Sequence, residues 1–448
     1  MIHLLFEILF IPGGRSLKKI LRSLLCFVLT AGLCMGCLLL SAGIPKERIR
    51  AHMTASAQYL RDGALFGEAA EGYEGSRIDR YADAILLNIA WHYDAERPLS
   101  SVMESAYYFT IYHEENENLY LAVTGDEAAT QQYLRYWHGS IALLRPLLVL
   151  LDLANIYRFH AVLLAIGFGL LLFVLLRKKW YGPAAALAAG LIGTAVWYVP
   201  LSLEYTWLFL LLIPACLLAI FFGGRRKREA YPFLFLTTGI LACFLDFLTV
   251  ETMPCLVPLL LILWAEYRET PELPAKEAAK LSLRLGLTYA AGYACMWALK
   301  WGLAALVLRE NVLPSITSHV AERIGGDVGV GPVELLLGAI TRNVACLFPA
   351  GCGIGGALAA VAIVLLCAYF GYVYRRKEVR KDRILLYLGI GLVPYLRYLA
   401  LHNHAYLHCF FTYRAQIATI LALGLILGEL VDARFLRGKR KGGQRHGR

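Results

Sequence analysis

The feature that most restricts the fold of this 448-residue chain is a recurring pattern, in which an apolar stretch of bilayer length is closed by a basic cluster. Arg177-Lys178-Lys179, Arg225-Arg226-Lys227-Arg228 and Arg375-Arg376-Lys377 each end such a stretch. A helix needs about 20 apolar residues to cross a hydrocarbon layer about 30 Å thick, and only helices or closed barrels satisfy their backbone there. Hydrophobic residues make up 58% of the chain and charged ones only 17%, which favours an all-α polytopic membrane protein over a string of soluble domains. Lysine and arginine flanking spans are retained in the cytoplasm. Setting every basic cluster there predicts about ten crossings with both termini inside: 24–42, 157–176, 183–198, 205–224, 231–250, 253–264, 285–308, 344–374, 384–400 and 410–427.

The expected organisation is a cytoplasmic or interfacial N-terminus at 1–23 and a first span at 24–42. A large helical outer loop follows at 43–142, then a multi-span bundle at 143–430 with a second outer loop at 309–342, and a basic cytoplasmic tail at 431–448. A short helix is expected around 315–323, and Gly351, Gly353, Gly355 and Gly356 predict a bend or re-entry at the start of the 344–374 stretch. Between Gly43 and Ile141 there are 15 acidic residues against 8 basic, although the whole chain carries a net charge of +11. The excess base therefore flanks the spans, which fits anionic lipid as the partner and argues against nucleic acid. None of the 11 cysteines lies in the polar loop, so no disulfide framework is expected. Cys34 and Cys37 have C-x-x-C spacing inside the first span, where structural filling is the expected role.

Ionisable residues at membrane depth cost on the order of 3 kcal/mol, so several on one face of a bundle predict a polar cavity. The topology gathers Asp79, Asp83, Arg145, Glu204, Asp246, Arg397, His404, His408 and Arg414 on the outer face. Asp79 and Asp83 stand four apart at the start of an amphipathic helix, either as a general base with a raised pKa or as a solvated helix face. His404 and His408 share the same spacing and, with Arg414, are expected to bind a lipid phosphate in preference to a metal. Arg414 pairing with Asp246 is the structural alternative. His138 and Arg145 lie in the Tyr133-to-Leu147 stretch, where aromatics beside Gly and Arg fit either a sugar or headgroup site or an interfacial belt.

The segments Asp79 to Asn88, Tyr136 to Pro146, Asp246-Phe247-Leu248-Thr249 and Asn403-His404 through Tyr413-Arg414, in this layout, resemble multi-spanning glycosyltransferases of the GT-C type. The resemblance implies transfer of a sugar from a polyprenyl-phosphate donor to a saccharide, lipid or protein acceptor at the outer face of the cytoplasmic membrane. It places the catalytic carboxylate on Asp79, with Asp83 as rival, and phosphate-binding groups on His404, His408 and Arg414. Metal-using members carry two nearly adjacent carboxylates, which Asp79-Arg80-Tyr81 does not, so no metal or other cofactor is expected. Asp246 and Glu204 are expected to orient the sugar or the basic residues. A transporter or flippase for a lipid-linked or polar substrate is the alternative from a different class.

Overall fold

The computed structural model describes residues 16–314, 317, 329–348, 354–376 and 378–432. These form helices α1 Ser16–Ala42, α2 Lys46–Arg61, α3 Arg80–His92, α4 Pro98–Glu104, α5 Glu115–Thr124, α6 Ile141–Leu148, α7 Leu153–Arg177, α8 Tyr181–Gly193, α9 Thr206–Phe222 and α10 Tyr231–Leu245. The chain continues through α11 Met253–Glu269, α12 Ala275–Leu308, α13 Pro332–Ala345, α14 Ile354–Val373, α15 Lys381–Gly391, α16 Val393–Ala400, α17 His402–Leu407, α18 Cys409–Thr412 and α19 Ile417–Leu430. Among the described residues, extended structure is confined to isolated bridges.

Among the described residues, five helical stretches are long and apolar enough to cross a membrane: Leu17–Ala42, Leu153–Arg177, Ala275–Leu308, Lys381–Ala400 and Cys409–Leu430. At 1.5 Å per residue, the 27 residues of α1 extend about 40 Å. The chain is thus an all-helical, multi-pass membrane protein. Other expected spans are shorter. The stretch 183–198 stops being helical at Gly193, where Ala195 turns left-handed (φ 47°) into a 3-10 turn at Val196–Leu201. The 231–250 stretch ends at Leu245, because the Asp246 carboxylate takes the backbone N–H groups of Leu248 and Thr249. The 344–374 stretch is divided between the end of α13 and α14, with Gly355 and Gly356 helical; Gly351 and Gly353 lie outside the described residues, as do residues 1–15, most of 315–323 and the tail from 433.

Side-chain contacts sort the turns onto two ends. At one end, Lys178 donates to Ile220 O (3.2 Å), Arg268 to Lys179 O (3.2 Å), Arg228 pairs with Glu266, and Arg383 pairs with Glu429 (3.3 Å). At the other end, Tyr413 Oη donates to Thr194 O (2.8 Å), Tyr73 Oη to Cys346 O (2.8 Å) and Trp297 Nε1 to Arg135 O (2.7 Å). Arg397 pairs there with Glu251 at 2.9 Å. The basic clusters read from sequence thus gather at one end, and the acidic segment packs against the other.

The acidic segment is not a separate soluble insert. Its helices share a core with α1, α10 and α12 through Trp91, Trp137, Ile240, Phe244 and Met296, while a second core fills the bundle of α7 to α11, α15 and α19. Helices α10 and α12 pack backbone to backbone: a Cβ at Gly239 would sit 2.2 Å from Tyr289 O, and one at Gly292 2.6 Å from Leu236 O. Small residues permit that approach where hydrophobic burial supplies little association energy.

Candidate functional site

Where the acidic segment meets the bundle, the structure encloses a cavity of about 430 Å³. Its wall combines Asp79, Glu204, Arg135, His138 and His408 with the rings of Phe66, Tyr81, Tyr107, Tyr133, Tyr136 and Phe247.

Asp79 is placed by local chemistry. It is the N-cap of α3, its Oδ1 accepting from Ala82 N at 2.9 Å, which satisfies one of the free N–H groups of the first turn. The same carboxyl group hydrogen-bonds Glu204, carried in by the turn after the Val196–Leu201 3-10 segment. Burial raises Asp79 to about 6, against the opposing effects of the Ala82 and Glu204 hydrogen bonds and Arg77. Two carboxyl groups in hydrogen-bond contact hold one proton between them most stably, leaving a single negative charge facing the cavity.

Asp83 takes a different part. It is fully buried and outside the cavity wall, accepting from Leu203 N (2.8 Å), Ser202 Oγ (3.4 Å) and Tyr157 Oη. It ties α3 to the 202–203 turn and to α7, and burial pushes it up to about 8. Asp83 thereby holds the turn that presents Glu204, and neither it nor Asp79 lies on a solvated helix face.

His138 is fixed by its neighbours in sequence. Gly139 N donates to Phe244 O at 3.0 Å, and a Cβ at Gly139 would lie 2.4 Å from that oxygen, so only glycine fits. Trp137 Nε1 donates to Met296 O at 2.8 Å. Held on both sides, His138 adopts φ 52°, a strained value for a non-glycine residue, and is 2% exposed. Its ring lies 4.8 Å from that of Tyr133 and 5.3 Å from that of Phe247. Its ring is held by the backbone of Tyr136, two residues back, which opposes the downward effect of burial on its pKa. Burial, then the Lys300 and Arg135 charges, hold this imidazole neutral well below the usual histidine range.

Four residues expected at the site, Arg414, Arg145, Asp246 and His404, do not line the cavity. Arg414 is fully buried, donating to Phe410 O (2.8 Å) and Gly75 O (2.9 Å) between the rings of Tyr205 and Tyr413; it joins neither Asp246 nor the cavity wall. Arg145 donates to the carbonyls of Ala90, Tyr93 and Ile44, closing the C-terminal end of α3. Asp246 caps its own turn through Thr249 N (3.1 Å) and Thr249 Oγ. His404 is buried behind His408, its ring 4.8 Å away and its Nδ1 3.4 Å from Arg397 Nη2. Among the described residues, no three His, Cys, Asp or Glu side chains converge in a way that could hold a metal.

Of the expected residues, then, Asp79, Glu204, His138 and His408 meet at the cavity. Sequence reading did not assign Arg135, whose guanidinium lies 4.3 Å above the Tyr133 ring and 5.5 Å from that of Tyr136, or the walls Tyr81 and Tyr107. The density of aromatics at 107–109 and 133–137 was the available signal.

Comparison of the chain with protein-family models, curated proteins and solved structures finds no match.

Proposed function

We propose that this protein is a membrane glycosyltransferase that moves a sugar from a polyprenyl-phosphate carrier to an acceptor hydroxyl at the outer face of the cytoplasmic membrane, in the manner of GT-C enzymes. The observation that carries the reading is the Asp79–Glu204 carboxyl pair facing an aromatic wall and the Arg135 cation within one cavity. Aromatic faces and carboxylates are what a pyranose ring and its hydroxyl groups need, and a guanidinium matches a phosphate bidentately. In this reading the charged carboxylate of the pair takes the acceptor's proton as its oxygen attacks the anomeric carbon. Arg135 and His408 take the place expected of Arg414, stabilising charge on the departing phosphate.

The membrane arrangement follows the same reading. On this reading ten segments cross the membrane, namely α1, α7, α8, α9, α10, α11, α12, α14, the α15–α16 pair and α19, with the five stretches of full crossing length among them as support. With the basic end in the cytoplasm, both termini are inside and the cavity faces outward. The transporter alternative draws on charges within the bundle, but Lys300 is engaged by the carbonyls of Val102 (2.9 Å) and Met103 (3.0 Å), and Arg397 by Glu251.

The test is turnover of a radiolabelled polyprenyl-phosphate sugar by protein reconstituted in lipid, comparing wild type with Asp79→Asn, Glu204→Gln and Arg135→Ala. Removing a general base lowers the rate by about 10²- to 10⁴-fold. Undiminished turnover in both carboxyl variants sinks the assignment, and sugar crossing sealed vesicles without product formation favours transport.

A further inference from the structure

A second concavity, of about 540 Å³, lies between α6, α7, α9 and α10. Its walls are apolar, with Leu143, Leu147, Leu150, Leu163, Leu210 and Leu245 among them, and Leu143 and Leu150 are 50% and 71% exposed. The opening runs beside α7, one of the helices of membrane-crossing length, so in a bilayer it is placed to meet lipid.

Two polar side chains break the apolar lining. His160 is completely buried and Trp207 is 4% exposed, with ring centroids 4.7 Å apart at 78°. Neither nitrogen of His160, nor Nε1 of Trp207, has a hydrogen-bond partner among the described residues. An unsatisfied buried donor is costly, and native proteins rarely leave one so. An imidazole carries at least one N–H and an indole carries one, so the pair holds two unsatisfied donors immediately behind the groove wall, within reach of an occupant after a small side-chain rotation.

We infer that the groove binds a membrane glycerolipid, its acyl chain along the leucines and its ester carbonyl accepting from Trp207 Nε1–H and His160. Depth favours this occupant. His160 lies seven residues into α7, about 10 Å below its start, and two residues past Arg158, which hydrogen-bonds Asn155 (2.9 Å) near the helix start. That is where headgroup gives way to hydrocarbon and where ester carbonyls lie. Charge favours it too, since the groove lining contains no Arg or Lys, as a phosphate would require, while a neutral carbonyl needs only N–H donors. The site also adjoins the cavity. Phe247 and Leu245, Glu204 and Trp207, and His138 and Leu143 each place one residue on the cavity wall and the other on the groove wall within a few positions of chain. The inference does not depend on sugar transfer.

The experiment uses the full-length protein in nanodiscs of dioleoyl-phosphatidylglycerol or of its ether-linked dialkyl analogue, which lacks the carbonyls. Lipid retained after detergent washing is counted by native mass spectrometry. Wild type is expected to hold the diacyl lipid in preference, by about five-fold for each hydrogen bond made. Trp207→Phe and His160→Phe, which keep the ring and remove the donor, should each lower that preference by about five-fold. Equal retention of diacyl and dialkyl lipid by wild type overturns the inference whether or not either variant folds. So does displacement of the retained lipid by polyprenyl phosphate but not by diacyl lipid.

Discussion

Replacing Asp83 by asparagine should stabilise this protein at neutral and alkaline pH, although it alters a fully buried, triply hydrogen-bonded side chain. Burial raises the Asp83 carboxyl from 3.8 to about 8. Below the unfolded value both states bind the proton and the group has no effect. As pH climbs between the two values the unfolded chain releases the proton and the folded one keeps it, so stability falls by about 1.4 kcal/mol per pH unit. By pH 7 the loss is on the order of 4 kcal/mol, and it levels off above the folded value. Asparagine does not titrate, keeps an oxygen for Leu203 N, and offers an N–H to Tyr157 Oη, which then accepts. Thermal unfolding of detergent-solubilised wild type should weaken from pH 5 to 8, while Asp83→Asn stays nearly flat and exceeds wild type by about 2 to 4 kcal/mol at pH 8. Asp83→Ala, which leaves Leu203 N–H buried without an acceptor, should instead lose about 1 to 3 kcal/mol for that group alone. Parallel pH curves for wild type and Asp83→Asn, or an asparagine variant weaker than wild type at pH 8, refute the reasoning. Retained activity in Asp83→Asn beside loss in Asp79→Asn would separate the structural aspartate from the one at the cavity.

If the ionised Asp79–Glu204 pair accepts the proton, turnover should rise through an acid limb near the Asp79 value of about 6, and Asp83→Asn should leave that limb in place. Arg414→Lys should destabilise by about 1.5 to 3 kcal/mol on loss of a charged donor to Phe410 O or Gly75 O, read as a lower unfolding midpoint. Gly139→Ala drives a methyl group against Phe244 O and should cost about 1 to 3 kcal/mol, with turnover falling as His138 is displaced. In a background lacking the native cysteines, Ile111→Cys (81% exposed) and Glu272→Cys should react with an impermeant thiol reagent from opposite sides of the membrane. Labelling of both from one side refutes the two-ended topology.

How far the sequence reached depended on the range of the interaction. Spans and their basic flanks are read one segment at a time, because bilayer thickness and lysine or arginine placement act on a single helix. The same local reading found Asp79, whose role as N-cap and whose place on the cavity are both set by the start of α3. It also reached His138, because that residue stands among consecutive aromatics beside Gly139 in the Tyr133-to-Leu147 stretch. It failed where partners lie far along the chain. Arg414 turns to Gly75 from 339 positions away and Arg145 to Ile44 from 101, and although Glu204 was expected at the site, its pairing with Asp79 across 125 positions was not. A buried arginine has the same letter whether it binds a phosphate or a backbone carbonyl. Sequence alone determined that this chain is a helical, multi-pass membrane protein with an acidic segment at one end, because hydrophobic length and charge asymmetry are properties of consecutive residues. Only the tertiary structure decided which ionisable groups face a cavity and which hold turns together, because that division depends on which backbone carbonyls arrive beside each side chain once the helices pack.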